Sequence, residues 1–278
     1  MYTYHVWGIR RTGNHAIIGW ILQHVGAPFV HFNDIQDARN PLTPSGVRLA
    51  GIPAWRYKRG LLRKIRHFPA RNEASFAGSD PSVDYESLAA LPRLSCRVFS
   101  YEDQHVMNTE AAPVIAVPGE TRKTVLLLRD PFNLFASLLK AGYFEGRLDE
   151  LPVLYASHAE EFLRQEQTGL IGINYNEWFQ DPAYRISVAR RLGFETDGSP
   201  YDDVPPNGGG SSFSGQAYRG RASRMNVFGR WHHVAGHMQF QRLVETPQVR
   251  EAAEAIFPVL AREVYGTLRV QAGAVGRS

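Results

Sequence analysis

Three clusters of residues in this chain are of types that hold anions, and a fourth is of types that move protons. The first runs from Gly8 to His15 (GIRRTGNH), where Arg10 and Arg11 sit inside a loop bounded by two glycines, with Thr12, Asn14 and His15 around the second. Guanidinium forks bind oxyanions through paired hydrogen bonds, and glycines let backbone N–H groups close on an anion. The second cluster is Arg129 with Ser137, a guanidinium and a hydroxyl at a strand end and on the helix after it. The third is Arg224 to Trp231 (RMNVFGRW), which supplies Arg224 and Arg230, a glycine at 229, and in Trp231 an aromatic able to meet a base. The fourth is Glu102, Asp103 and His105, where a carboxylate or imidazole could accept a proton from a nucleophile. The same residues also fit plainer roles: solvent-facing arginines, a helix-surface serine, a core tryptophan, and carboxylates that cap helices or neutralise nearby arginines.

The elements around the first cluster give it a shape. Tyr2, Tyr4, Val6 and Ile9 are β-formers and predict a strand. Ile17, Ile18, Ile21, Leu22 and Val25 recur at helical intervals after the loop. Strand, tight loop and helix make a phosphate cradle, with the positive end of the helix at the anion. The glycine spacing is that of a Walker A loop, but Asn14 and His15 stand where that motif has Lys and Ser or Thr. The usual Mg²⁺ ligand and the usual lysine contact are therefore missing. The expected ligand is an anion held by arginines and amides, with no metal required.

The remaining elements predict an α/β fold on a central parallel sheet. Strands are expected at Ala27–Phe32, Ser95–Tyr101, Thr124–Leu128 and Leu170–Tyr175, the third as a buried parallel strand. Asp130 and Pro131 are an N-cap and first-turn pair for a helix carrying Phe132, Phe135, Leu138 and Leu139. Further helices are expected at Val153–Gln167, Asn176–Leu192 (stopped by Gly193), Val227–Val244 and Gln248–Tyr265. Strands alternating with helices indicate a parallel sheet, and ligands sit beyond the carboxyl ends of such strands. The loops after Ile9, Tyr101 and Leu128 fall there. The chain reads as a single domain over 1–278, with an irregular or helical excursion at about 36–90 and a flexible loop at about 197–215. Within the excursion, the basic stretch Trp55 to Phe68 has helical spacing. It would serve as a solvated cover helix, a flap over the site, or a peripheral membrane contact.

Composition bounds the function classes. The 278 residues are 44% hydrophobic, enough for a sizeable core. A net charge of +4 and a pI near 9.2 suit anionic ligands without demanding nucleic acid. Cys96 is the sole cysteine, so no internal disulfide can form, and a reducing, cytoplasmic location is expected. No apolar run approaches the ~20 residues of a membrane span, and the N-terminal residues lack the apolar core of a signal peptide. His233 and His237 would lie one helical turn apart beside His232, but no third ligand is identifiable, so a solvated face is expected and no metal site. His31 is expected at the surface.

Taken in order, these motifs resemble the sulfotransferases that use 3′-phosphoadenosine 5′-phosphosulfate (PAPS). Arg11-Thr12-Gly13-Asn14-His15 is similar to that family's 5′-phosphosulfate loop, with Arg11 in place of its usual Lys. Arg129 and Ser137 have the spacing of its 3′-phosphate motif. Arg224, Gly229 and Trp231 are spaced like the late segment that closes over the nucleotide, although Met225 and Arg230 replace its Lys and Asp. Tyr175, Glu177 and Asp181-Pro182 look like its tyrosine-acidic strand end, with Asn176 inserted. The resemblance spans nearly the whole chain and implies a P-loop NTPase-like architecture. It implies metal-independent, in-line transfer of a sulfuryl group from PAPS to a hydroxyl or amine of a small-molecule, glycan or lipid acceptor, releasing adenosine 3′,5′-bisphosphate. It places Arg10, Arg11, Thr12, Gly13, Asn14 and His15 at the 5′ end of the nucleotide, and Arg129, Ser137, Tyr175, Arg224, Gly229, Arg230 and Trp231 around the rest. Arg11, with Arg10 beside it, becomes the cation that stabilises the leaving phosphate. Glu102 is the first choice of base and His105 the second, and His15 would either hydrogen-bond the transferring group or pack beneath the loop. Two other classes fit parts of the pattern. One is a P-loop-type kinase or hydrolase, against which Asn14 and His15 stand. The other is a non-catalytic polyanion-binding protein using Arg56, Lys58, Arg59, Arg63, Lys64 and Arg66.

Overall fold

The computed structural model describes residues 1–59, 73–78, 80–106, 117–204 and 210–275. Seven strands are β1 (Tyr2–Gly8), β2 (Phe29–Ile35), β3 (Pro44–Ala50), β4 (Glu73–Ala77), β5 (Cys96–Glu102), β6 (Thr121–Leu128) and β7 (Ile171–Asn174). The helices are α1 (Asn14–Val25), α2 (Tyr85–Ala89), α3 (Pro131–Ala141), α4 (Glu150–Leu163), α5 (Gln165–Thr168), α6 (Tyr175–Gln180), α7 (Pro182–Leu192), α8 (Met238–Val244), α9 (Pro247–Ile256) and α10 (Pro258–Val275).

The strands form one sheet in the order β4-β3-β2-β5-β1-β6-β7. β2, β5, β1, β6 and β7 run parallel, with β1 in the middle of them, and β3 and β4 add an antiparallel edge beyond β2. Both faces of β1 are buried. Trp7 belongs to a core packed by α3, α4, α8, α9 and α10, while Tyr4 and Val6 belong to a second core packed by α1, α6 and α7. The chain is thus a helix–sheet–helix sandwich, and the parallel strands all deliver their carboxyl ends to one edge of it. Among the described residues no helix is long and apolar enough to cross a membrane.

Several expected boundaries move for local reasons. The helix expected over 176–192 is two helices, because Asp181 accepts a hydrogen bond from the Ala183 N–H and Pro182 opens a new first turn. The segment expected as one helix over 227–244 holds only a 3₁₀ turn (Arg230–His233) and the short α8. That expected over 248–265 breaks at Phe257, before Pro258. The expected 153–167 helix begins earlier, at Glu150, and divides into α4 and α5. The excursion at 36–90 contributes β3 and β4 as well as α2. Pro44 opens β3, a place in a strand where a missing N–H costs little. Ala54–Arg56 forms one 3₁₀ turn, and the rest of the expected basic helix, from residue 60 to 68, lies outside the described residues.

The loop between β1 and α1 turns on Gly13, whose φ of +113° lies in the region that disfavours side chains. A Cβ built there would sit 2.2 Å from the Tyr175 ring. Gly13→Ala should therefore lower stability by about 1–3 kcal/mol. Urea denaturation measures it, and an unchanged midpoint would mean that Tyr175 does not pack on this turn.

Candidate functional site

A cleft of about 410 Å³ opens at the carboxyl edge of the parallel strands, within the range of small-molecule sites. Of the residues singled out from sequence, Arg10, Arg11, Gly13, Asn14, His15, Glu102, Arg129, Tyr175 and Arg230 line it. Thr12 and Ser137 are buried beneath its wall, and Trp231 is buried in the core against His232. Arg224 is exposed, and neither it nor Gly229 lines the cleft. His105 is also exposed and away from it, with Nδ1 3.0 Å from the Ser157 hydroxyl.

Arg11, Arg129 and Arg230 form the cationic part of the cleft. Arg11 has φ +71°, a left-handed turn within the loop. Its Nε donates to Ser212 Oγ at 2.7 Å and its Nη1 to the Gly210 carbonyl at 3.0 Å. Arg129 is 1% exposed and donates to the carbonyls of Arg11 (3.3 Å) and Val227 (2.5 Å), with its guanidinium 5.0 Å from the Tyr175 ring centre. Arg230 is 7% exposed and donates to Ser137 Oγ at 2.9 Å and Ser211 Oγ at 3.1 Å. Asn133 fixes its backbone, accepting from the Arg230 N–H at 2.9 Å, and Asp130 fixes Asn133 in turn. Ser137 also donates to the Asn133 carbonyl, so it acts by holding Arg230 in place.

Arg129 and Arg230 donate to carbonyls and hydroxyls, all neutral oxygens. Among the described residues neither Arg129 nor Arg230 forms an ion pair, and the Nε of each is buried without a hydrogen-bond acceptor. Burial, with Arg129 and Arg11 close by, pushes the Arg230 guanidinium down to about 9, and burial also lowers Arg11. Buried charges without counterions are costly, and an oxyanion supplies both the missing charge and the missing acceptors.

Arg10 faces the other way. Its Nε donates to Glu102 at 3.0 Å, its Nη2 to Asp34 at 3.2 Å, and its backbone N–H to Asp103 at 2.7 Å. Burial pushes the Asp103 carboxyl up to about 6 and also raises Asp34, with Glu102 adding repulsion to each. Glu102 further accepts from Asn14 Nδ2 at 3.1 Å and lies 3.9 Å from His15 Nε2. The ring of Tyr143 lies against both neighbours, 5.1 Å from the Arg10 guanidinium and 5.7 Å from that of Arg11. One end of the cleft is thus cationic and the other carries carboxylates around a single arginine.

Sequence reasoning missed Asp34, Tyr143, Trp178, Phe179 and Tyr201, all of which line the cleft. Tyr175, Trp178 and Phe179 fall at helical spacing on α6, and with Tyr201 and Met225 they give the cleft an apolar wall that suits a planar heterocycle. The spacing of that trio was the available signal. His31, expected at the surface, is 4% exposed. Burial pushes it down to about 3, and its Nε2 lies 3.1 Å from Ser100 Oγ. His233 and His237 share no helix, since one ends the 3₁₀ turn and the other precedes α8. Among the described residues no group of three or more His, Cys, Asp or Glu is placed to hold a metal ion. Of the basic stretch, Lys58 pairs with Asp80 at 3.8 Å, Arg56 and Arg59 are exposed, and Arg63, Lys64 and Arg66 lie outside the described residues.

Comparison of the chain with protein-family models, with curated proteins and with solved structures finds no match.

If the cluster is built for an anion, Arg230→Gln should leave the ligand-free protein at least as stable, because a costly buried charge is removed. It should also abolish the rise in Tm that inorganic sulfate produces in the unaltered protein. Differential scanning calorimetry with and without sulfate reads both. A large fall in Tm together with a retained sulfate response would count against this account of the cluster.

Proposed function

We propose that the chain is a PAPS-dependent sulfotransferase, with the P-loop NTPase-like architecture that its motifs resemble. The observation that carries this reading is the pair of buried guanidiniums, Arg129 and Arg230, held by neutral oxygens in the cleft that Arg11 also lines. The orphaned Nε atoms of Arg129 and Arg230 fit a multiply charged ligand. The aromatic wall of Tyr175, Trp178 and Phe179 fits the purine of the same molecule. A glycine-turned loop running from the central parallel strand into α1 supports the architecture.

PAPS supplies an activated sulfuryl group. The acceptor oxygen bonds to sulfur, the sulfur–oxygen bond to the 5′-phosphate breaks with its electron pair on the phosphate, and the acceptor proton passes to a base. Sulfuryl transfer, like phosphoryl transfer, depends chiefly on positioning and on stabilising the departing charge. In this reading Arg129 and Arg230, the latter held by Ser137, bind the 3′-phosphate. Arg11 and the N-terminus of α1 face the 5′ end, and Arg11 stabilises the charge that grows on the leaving phosphate. Arg10 is engaged by Glu102, Asp34 and Asp103, so the stabilising role passes to Arg11 alone. Glu102 lines the cleft and His105 does not, which favours Glu102 as the base. Asn14 spends its amide on Glu102 and the Ile9 carbonyl, a loop-bracing role unlike that of a Walker lysine.

Titration calorimetry with adenosine 3′,5′-bisphosphate tests the proposal. Binding is expected without added metal and should weaken by about 10- to 100-fold in Arg129→Ala. Glu102→Gln should lower kcat by a factor of about 10²–10⁴ while leaving nucleotide affinity in place. No binding of the bisphosphate would overturn the reading.

A further inference from the structure

The helix that fixes Arg230 also aims an aromatic ring at the loop arginines. Asn133 and Ser137, in the first half of α3, hold Arg230. At the other end of α3, Gly142 takes φ +69° and the Tyr143 N–H donates to the Leu138 carbonyl at 3.1 Å, a Schellman stop that sets the path of the chain beyond the helix. Phe144 then enters the core at 8% exposure with φ +65°. A left-handed backbone is unfavourable for an aromatic residue and persists only where the packing around it over-determines it. Between these two fixed points Tyr143 lies partly buried and lines the cleft.

The Tyr143 ring centre is 5.1 Å from the Arg10 guanidinium and 5.7 Å from that of Arg11. Both distances lie within the reach at which the negative face of a ring attracts a cation. Arg10 is anchored to the sheet through Glu102 and Asp34, whereas Arg11 is held by Ser212 and Gly210 of the segment outside it. Burial lowers the Arg11 guanidinium, Arg10 and Arg129 lower it further, and Tyr143 and Glu102 oppose them. A ring in contact with both loop arginines offsets their mutual repulsion and couples the position of Arg11 to that of the anchored Arg10.

We propose that Tyr143 is a positioning residue for the 5′ end of the donor: its ring bridges Arg11 to Arg10 and so holds the Arg11 guanidinium at the leaving phosphate. The inference rests on the donor reading given above. In it α3 serves both ends of the nucleotide, the 3′-phosphate through Arg230 and the 5′-phosphate through Tyr143 and Arg11. The ring carries the role, and the phenol hydroxyl does not.

Displacement calorimetry on the whole chain tests this, with adenosine 3′,5′-bisphosphate and adenosine 3′-phosphate as probes, since only the first carries the group that Arg11 meets. Tyr143→Leu should weaken the bisphosphate by about threefold to tenfold and leave the monophosphate as it is. A general loosening of the fold would move both. Tyr143→Phe, which keeps the ring, should bind both nucleotides like the unaltered protein. Tyr143→Met serves if the leucine variant does not fold. Equal losses for the two nucleotides, no loss for either, or a phenylalanine variant as impaired as the leucine variant would overturn this inference alone. Failure of the unaltered protein to bind the bisphosphate would take down the donor reading and this one with it.

Discussion

Two arginine side chains, Arg129 and Arg230, buried in one cleft beside Arg11 and hydrogen-bonded to neutral oxygens, set the terms for this molecule. Each guanidinium costs free energy to bury, and the cost is not recovered by a carboxylate for Arg129 or Arg230 among the described residues. The rest of the structure keeps them there. β6 ends at Leu128 so that Arg129 emerges at the sheet edge, with Tyr155 donating to its carbonyl at 3.1 Å. The first turn of α3 holds Arg230 through Asn133 and, one turn on, Ser137. The positive-φ turn at Gly13 brings the start of α1 against Tyr175, the same ring that lies under Arg129. Stability is spent locally to keep positive charge available, a pattern that belongs to binding sites and not to cores.

The two adjacent arginines of the loop show how the fold divides labour that their identity does not. Arg10 and Arg11 are the same residue type, one position apart, and both lie against Tyr143. The left-handed turn at Arg11 sends them to different partners. Arg10 meets carboxylates carried by the end of β5, which neighbours β1 in the sheet, and of β2, the next strand beyond it. Arg11 meets a serine hydroxyl and a carbonyl from the segment around residue 211. Arg10 lies among carboxylates and Arg11 beside Arg129 and Arg230, and this gives the cleft its two ends.

Legibility in the sequence followed the range of the interactions. The strand, loop and helix around Gly13 were readable because alternation gives way to helical spacing at two glycines, all within a few residues. The cap at Asp130 was readable for the same reason, and its carboxylate does accept from the Asn133 N–H at 2.7 Å. The edge pair β3 and β4 was not, since β3 opens with Pro, Ser and Gly, β4 is only five residues long, and both gain their order from pairing, β3 with β2 and β4 with β3. The breaks at Pro182 and Pro258 were written in the chain, but a continuous apolar period hid them. Within the site, the residue types at Arg11, Arg129 and Glu102 announced their chemistry. The bond between Ser137 and Arg230 joins residues 93 apart and left no local trace, nor did the burial of His31 by the packed sheet edge.

The segment carrying Gly210, Ser211 and Ser212 occupies donors of Arg11 and Arg230 with its own oxygens, and Phe213 stacks 5.4 Å from the Arg230 guanidinium. An incoming oxyanion that uses those donors therefore takes part in an exchange, since it must evict hydroxyls and a carbonyl already in place. Net affinity is the difference between two sets of hydrogen bonds, each modest once the competition is counted. Speed of entry and exit then depends on how often this strap lets go, which makes residence time a property of the strap as much as of the arginines.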